Sequence, residues 1–257
     1  QEQIHVDVLP CTLRLPRRYA FRFLRIDVLA VSPKYRLCLE DAWVDAVTSA
    51  DDSLLQPFSG TPEEEAVDRV AVRTLRNCMQ DFFEDGPKRD RRLWLGDFRL
   101  EALANYETFH NNDLVKRCLY LFAAAQGEDG QLPACLFTEP ALEGDDTWFA
   151  DYALFFVSTL KDYVEHTGDE QTGRALLPLA LRQLELADSY FDPETELVRD
   201  GSANSLTQAQ ESEAQRGKVN MVDQSAFFVD WNLALNKQAA GQAIWIYCAK
   251  DALHLML

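Results

Sequence analysis

The sequence predicts a mainly α fold, a series of antiparallel helices with short links as in a bundle or an α/α toroid, behind a short β-like segment. Three observations carry this. From about residue 60 onward, apolar residues recur at three- and four-residue steps. Capping signals open those runs, and Gly- or Pro-containing turns close them. Before residue 60 the apolar residues alternate with charged ones instead.

The elements follow in order. Residues 4–9, 19–28 and 35–47 read as strands with one wet face, clearest in the run Tyr19-Ala20-Phe21-Arg22-Phe23-Leu24-Arg25-Ile26-Asp27-Val28. Pro10, Pro16 and Ser32-Pro33 punctuate them. So few strands cannot close a sandwich, so residues 1–60 are expected to be the C-terminal strands of a β-sandwich-like domain. The first helix opens on Thr61-Pro62-Glu63-Glu64, with Thr at the N-cap, Pro at the first helical position and Glu in capping-box position. Val67, Val70, Ala71, Leu75, Cys78, Met79 and Phe82 then share one face, and Asp85-Gly86-Pro87 is the expected stop.

A second helix is expected over residues 96–109. A third starts at Asn112 or Asp113 and buries Leu114, Cys118, Leu119 and Phe122. A fourth runs from Asp145-Asp146 to His166 with an aromatic-rich face (Phe149, Tyr152, Phe156, Tyr163) and ends at Thr167-Gly168. A fifth covers residues 169–190 with Pro178 inside it, and a sixth starts near Leu233. The polar stretch 200–218 between them reads as a loop.

Composition sets the outer limits. The 257 residues carry 42 Asp+Glu against 25 Lys+Arg, for a net charge of −17, and 47% are apolar. The acidity is uneven: residues 1–99 hold 15 basic and 17 acidic side chains, residues 100–257 hold 10 and 25. Such a surface repels phosphate backbones and anionic lipid, so neither nucleic acid nor membrane is an expected partner. No apolar run is long enough to span a bilayer. Six scattered cysteines without C-x-x-C spacing read as reduced thiols and favour a reducing compartment such as the cytoplasm. The four histidines form no ligand pair, so no metal and no cofactor is expected.

One segment concentrates chemistry: Asp85-Gly86-Pro87-Lys88-Arg89-Asp90-Arg91-Arg92-Leu93-Trp94-Leu95-Gly96-Asp97. It links two apolar helices, at the mouth of the helical array, where ligand contacts concentrate. A carboxylic acid among arginines beside a Trp suits general-acid work or acceptance of sugar hydroxyls, with Trp94 stacking on a pyranose face. Helix-end electrostatics offers another reading: Asp97 capping the second helix, and Lys88, Arg89, Arg91 and Arg92 answering the negative end of the first.

Asp85-Gly86-Pro87-Lys88-Arg89-Asp90-Arg91 followed by Trp94-Leu95-Gly96-Asp97 resembles the D-C-P-x-R-E-R and W-T-G-D signature of bacterial α-L-rhamnosidases of glycoside hydrolase family 78. Further blocks are similar in the same order: Gln126-Gly127-Glu128-Asp129-Gly130-Gln131-Leu132-Pro133, Asp146-Thr147-Trp148, Tyr163-Val164-Glu165-His166-Thr167-Gly168-Asp169 and Phe228-Val229-Asp230-Trp231. The resemblance implies an (α/α)6 barrel whose first part is residues 61–257, and inverting hydrolysis of terminal α-L-rhamnosides. Asp90 then occupies the general acid's place, where the commoner motif has the longer Glu. Asp85, Arg89 and Asp97 fall at sugar-binding places, with Asp230 in the last block. Trp94, Trp148 and Trp231 line the pocket or, on the alternative reading, belong to barrel core.

A rhamnose-containing glycoside or oligosaccharide is the implied partner. The family's general base, a Glu in the later barrel, is expected outside this chain. The six expected helices are half of those a full barrel needs. The chain is thus expected to be an internal piece, inactive alone, with an apolar seam able to drive self-association. Another α/α-toroid glycosidase or lyase, or a non-catalytic carbohydrate-binding module, fits the same residues.

Overall fold

A computed structural model describes residues 2–198, 227–229 and 235–257. The chain divides into two compact units, Gln1–Val44 and Asp45–Leu257. In the first, the alternating runs do not pair: no strand is formed among its described residues. Period-two alternation specifies which face is apolar, whereas a ladder also needs a partner edge. Phe23 and Tyr35, from two of those runs, are exposed.

The second unit holds six α-helices among the described residues: α1 (Pro62–Cys78), α2 (Leu95–Tyr106), α3 (Asn112–Ala124), α4 (Ala150–Thr167), α5 (Glu170–Asp188) and α6 (Gln238–Met256). A small antiparallel sheet in the order β1 (Leu93–Trp94), β2 (Cys135–Phe137), β3 (Glu143–Gly144) sits among the helix ends. Residues 45–60 pack with the helices: Ser49 N–H donates to Met79 C=O at 2.9 Å, and Gln80 Nε2 to Val47 C=O at 3.0 Å.

The Thr61–Glu64 capping box forms as expected. The face of α1 is buried only from Leu75 onward; Val67 and Val70 are 69% and 58% exposed. The helix also ends earlier than the Gly-Pro stop suggests. After Cys78 the chain turns inward, Met79 bridges to Phe83, and both are fully buried beside Phe82. Core burial of these side chains outweighs continuation of the helix.

Helix α4 begins at Ala150, since Asp145 is held by the sheet: its N–H donates to Cys135 C=O at 3.0 Å. At the α4–α5 junction, Gly168 takes the left-handed φ of 71° that a helix C-cap needs, and Asp169 caps α5. Asp169 also accepts from Lys116, Tyr163 and Thr172, which hold its carboxyl far below the usual range. Helix α5 runs unbroken through Pro178. One core joins these helices, with Phe83, Phe98, Phe109, Phe122 and Phe156 fully buried. Four of the six cysteines are buried, Cys11 and Cys38 are exposed, and all are free thiols.

Candidate active site

Residues 85–92 form a closed loop. Asp85 N–H donates to Arg92 C=O at 3.1 Å, and Arg92 N–H returns a bond to Asp85 Oδ1 at 3.0 Å. Within this clamp Asp90 and Arg91 both adopt left-handed φ, 60° and 56°, and Arg91 N–H donates to Arg89 C=O at 2.8 Å. Each such non-glycine residue costs on the order of 1 kcal/mol, so the surrounding bonds must hold the turn. Asp90 stands at the tip with its carboxylate 3.7 Å from the Arg89 guanidinium, and Arg89 is largely in solvent.

The loop is tied to the sheet behind it. Arg92 Nη1 lies 3.2 Å from Asp145 Oδ2, and its guanidinium sits 4.4 Å over the Phe137 ring. In the sheet, Leu93 faces Leu136 and Trp94 faces Cys135. Arg92 is thus committed to the sheet and not to the end of α1. That end carries Arg76, which pairs with Asp52 at 2.8 Å.

The same rigid segment delivers Trp94 and Asp97. Trp94 holds the N-cap position of α2 without a side-chain cap bond, and Asp97 lies in the first turn. Asp97 is therefore not the N-cap residue, although its carboxyl does accept its own backbone N–H in that first turn. Trp94 is half-buried, edge-on to Tyr152 at 6.3 Å. Gly96 fits between them because it lacks a side chain: a Cβ there would lie 2.6 Å from Tyr152 Cζ.

Electrostatics binds the acids into one group. Burial pushes the Asp85 carboxyl up, the Arg92 N–H pulls it down, and the Asp90 charge pushes it up again. Asp97 is raised by burial and by the charges of Asp85 and Asp90. Sequence reasoning missed a further member, Glu101, four residues after Asp97 and so on the same side of α2. Burial first, then Asp97 and Asp85, push Glu101 up to about 9; its Oε2 is sealed and finds no hydrogen-bond partner. The adjacent Cys78 thiol is pushed up to about 12, mainly by burial and next by Glu101. A charged residue beside the apolar stripe of Phe98 and Ala102 was the one available signal.

A second missed residue is Asp151 in the first turn of α4. Its Oδ1 accepts the Phe228 N–H at 3.0 Å and its Oδ2 the Val229 N–H at 2.8 Å. The Phe228 ring lies 5.8 Å from Tyr152 and 5.2 Å from Phe149. Trp148 joins a separate aromatic set: it stacks on Tyr190 at 5.3 Å, and Tyr190 meets Phe227 edge-on. The structure thus gathers Asp85, Arg89, Asp90, Trp94 and Asp97 around one clamped loop and the start of α2, and Ala134 bonds both Leu95 and Thr147, the neighbours of Trp94 and Trp148. Asp230 and Trp231 lie outside the described residues. A depression lined by Ser49, Asp51, Phe109 and His110 lies past the other end of α2, about 14 Å of helix beyond Asp97.

Two family models match parts of the chain. Residues 1–46 match the glycosyl hydrolase family 78 α-rhamnosidase N-terminal domain. Residues 61–240 match the bacterial α-L-rhamnosidase six-hairpin glycosidase domain. Among solved structures, a rhamnosidase from Klebsiella oxytoca with rhamnose bound is 46% identical, with a TM-score of 0.66 over 77% of this chain and 34% of that one. A family 78 rhamnosidase of Bacillus sp. GL1 is 22% identical, with a TM-score of 0.48 over 80% of this chain and 20% of that one. The chain spans about a third of the length of the Klebsiella relative. No curated protein matches it.

Proposed function

Because the chain belongs to the bacterial α-L-rhamnosidases of glycoside hydrolase family 78, we propose that residues 85–97 bind a terminal α-L-rhamnose and supply the acid for its inverting hydrolysis. The observation that carries this reading is the clamped loop, which presents Asp90 on a strained turn beside Asp85 and Asp97. Strain of that kind is concentrated at functional sites. Asp90 is the general acid: it hands its proton to the glycosidic oxygen as the C–O bond breaks. Asp85, Arg89, Asp97 and Asp230 hold sugar hydroxyls. Trp94, Trp148 and Trp231 give apolar walls.

The general base, which activates water on the opposite face of the ring, is assigned to none of these residues. Residues 1–60 are read as the last strands of a β-sandwich-like domain and 61–257 as the first part of an (α/α)6 barrel. The Klebsiella relative, solved with rhamnose bound, supports the choice of sugar.

Calorimetry with L-rhamnose and hydrolysis of an alkyl α-L-rhamnoside, whose poor leaving group needs the proton, test the assignment in the full-length protein. Asp90→Asn should keep rhamnose binding and lose roughly 100-fold or more in kcat. Asp85→Asn and Asp97→Asn should weaken binding instead. Hydrolysis by Asp90→Asn at the unaltered rate, or preference for another sugar, overturns the proposal.

A further inference from the structure

We propose that Asp151 is a positioning residue for the sugar site: its carboxylate seats Phe228 against Tyr152 and thereby sets where Trp94 stands. The role rests on reading residues 85–97 as the rhamnose site.

Asp151 is 2% exposed. Its place in the first turn of α4 already suits a carboxylate, since helix N-termini favour negative charge. That alone would leave it at the surface. Burying it requires compensating bonds: beside the N–H groups of Tyr152 and of Asp151 itself, two consecutive N–H groups more than 75 residues away in sequence donate to it, one to each oxygen. The bonds fix a backbone that would not hold itself: Val229 has φ of 50°, a left-handed conformation that a β-branched side chain strongly disfavours.

Position then passes through rings. Phe228 lies 5.8 Å from Tyr152, edge-on, and 5.2 Å from Phe149, while the Lys237 ammonium sits 5.9 Å from its ring centroid. Tyr152 in turn lies edge-on to Trp94 at 6.3 Å and fills the space above Gly96. The ring of Tyr152 is held between Phe228 and the Trp94–Asp97 turn. If Phe228 were released, the support behind Trp94 would be lost with no sugar contact touched.

The test compares Asp151→Asn with the unaltered residue in the full-length protein. The amide nitrogen of Asn cannot accept, so one of the two N–H bonds is lost at nearly constant volume. Hydrogen exchange at Phe228 and Val229 should quicken by roughly 10- to 100-fold, the range expected for a lost buried bond to a charged acceptor. The Kd for L-rhamnose by calorimetry should rise about tenfold. Thr61→Ala, which weakens the distant cap of α1, serves as the control for mere destabilisation and should leave that Kd unchanged.

Unchanged exchange at both amides overturns the anchor. Quickened exchange with an unchanged Kd overturns the positioning role. An unaltered full-length protein that does not bind L-rhamnose overturns the functional reading itself, and the sugar-positioning role with it, whatever the amides show.

Discussion

Replacing Gly96 by Ala adds one methyl group at the join between Trp94 and Asp97. Its carbon would lie 2.6, 2.7 and 3.1 Å from Cζ, Cε1 and Cδ1 of Tyr152. Ordinary carbon contacts are about 3.5–4.0 Å, so the ring would have to retreat by about 1 Å. It has little room, because Trp94, Phe149 and Phe228 surround it. Overpacking of this kind costs about 1–3 kcal/mol. Ala is the better helix former by at most about 1 kcal/mol, less in a first turn.

The net expectation is a loss of about 1–2 kcal/mol and a fall in Tm of roughly 2–8 °C. L-rhamnose binding should weaken as well, because Trp94 moves with the ring. Thermal unfolding followed by circular dichroism reads the first effect, and calorimetry the second. In a Tyr152→Leu background the obstacle is gone and Gly96→Ala should become neutral or stabilising, a coupling of about 2 kcal/mol. A Gly96→Ala chain at least as stable as the unaltered one, or an equal effect in both backgrounds, would refute the steric reasoning.

Two further outcomes follow from the electrostatics. Glu101 is raised above its unfolded value of 4.5 to about 9, so its contribution is fully present below about pH 4.5 and is lost as pH rises through about 9. At about pH 7 the loss is on the order of 3 kcal/mol, and Glu101→Gln should remove this slope from a pH series of urea melts; an unchanged slope contradicts a buried neutral acid. Arg92→Met removes the partner of Asp145 and the cation over Phe137. It should cost about 1–2 kcal/mol and lower Tm by roughly 2–8 °C in calorimetry, whereas an unmoved Tm would mean the loop is held by its backbone bonds alone.

Much of the site was legible as a string because its parts are contiguous. Asp85, Arg89, Asp90, Trp94 and Asp97 lie within one segment whose Gly, Pro, cations and acids stand apart from the apolar helices on either side. Glu101 and Asp151 were not legible. Each looks like an ordinary charged residue on a helix, and its significance comes from what packs over it: Cys78 and Asp97 for one, the amides of Phe228 and Val229 for the other. The Tyr190 ring on which Trp148 stacks was not legible either, since it lies more than forty residues away in sequence.

By itself the sequence determined what depends on near neighbours along the chain. The capping box at Thr61, the Gly168–Asp169 junction and the helical period of α3 to α5 are local, since caps, left-handed turns and amphipathic stripes span a few residues. Tertiary structure decided the rest. It ended α1 at Cys78 by drawing Met79 and Phe83 into the core, and delayed α4 to Ala150 by engaging Asp145. It built a sheet from segments too short to show a period, and left the alternating N-terminal runs unpaired. Strand pairing, burial of a carboxyl and the seating of an aromatic ring are contacts between residues far apart in sequence, and only the folded chain chooses those partners.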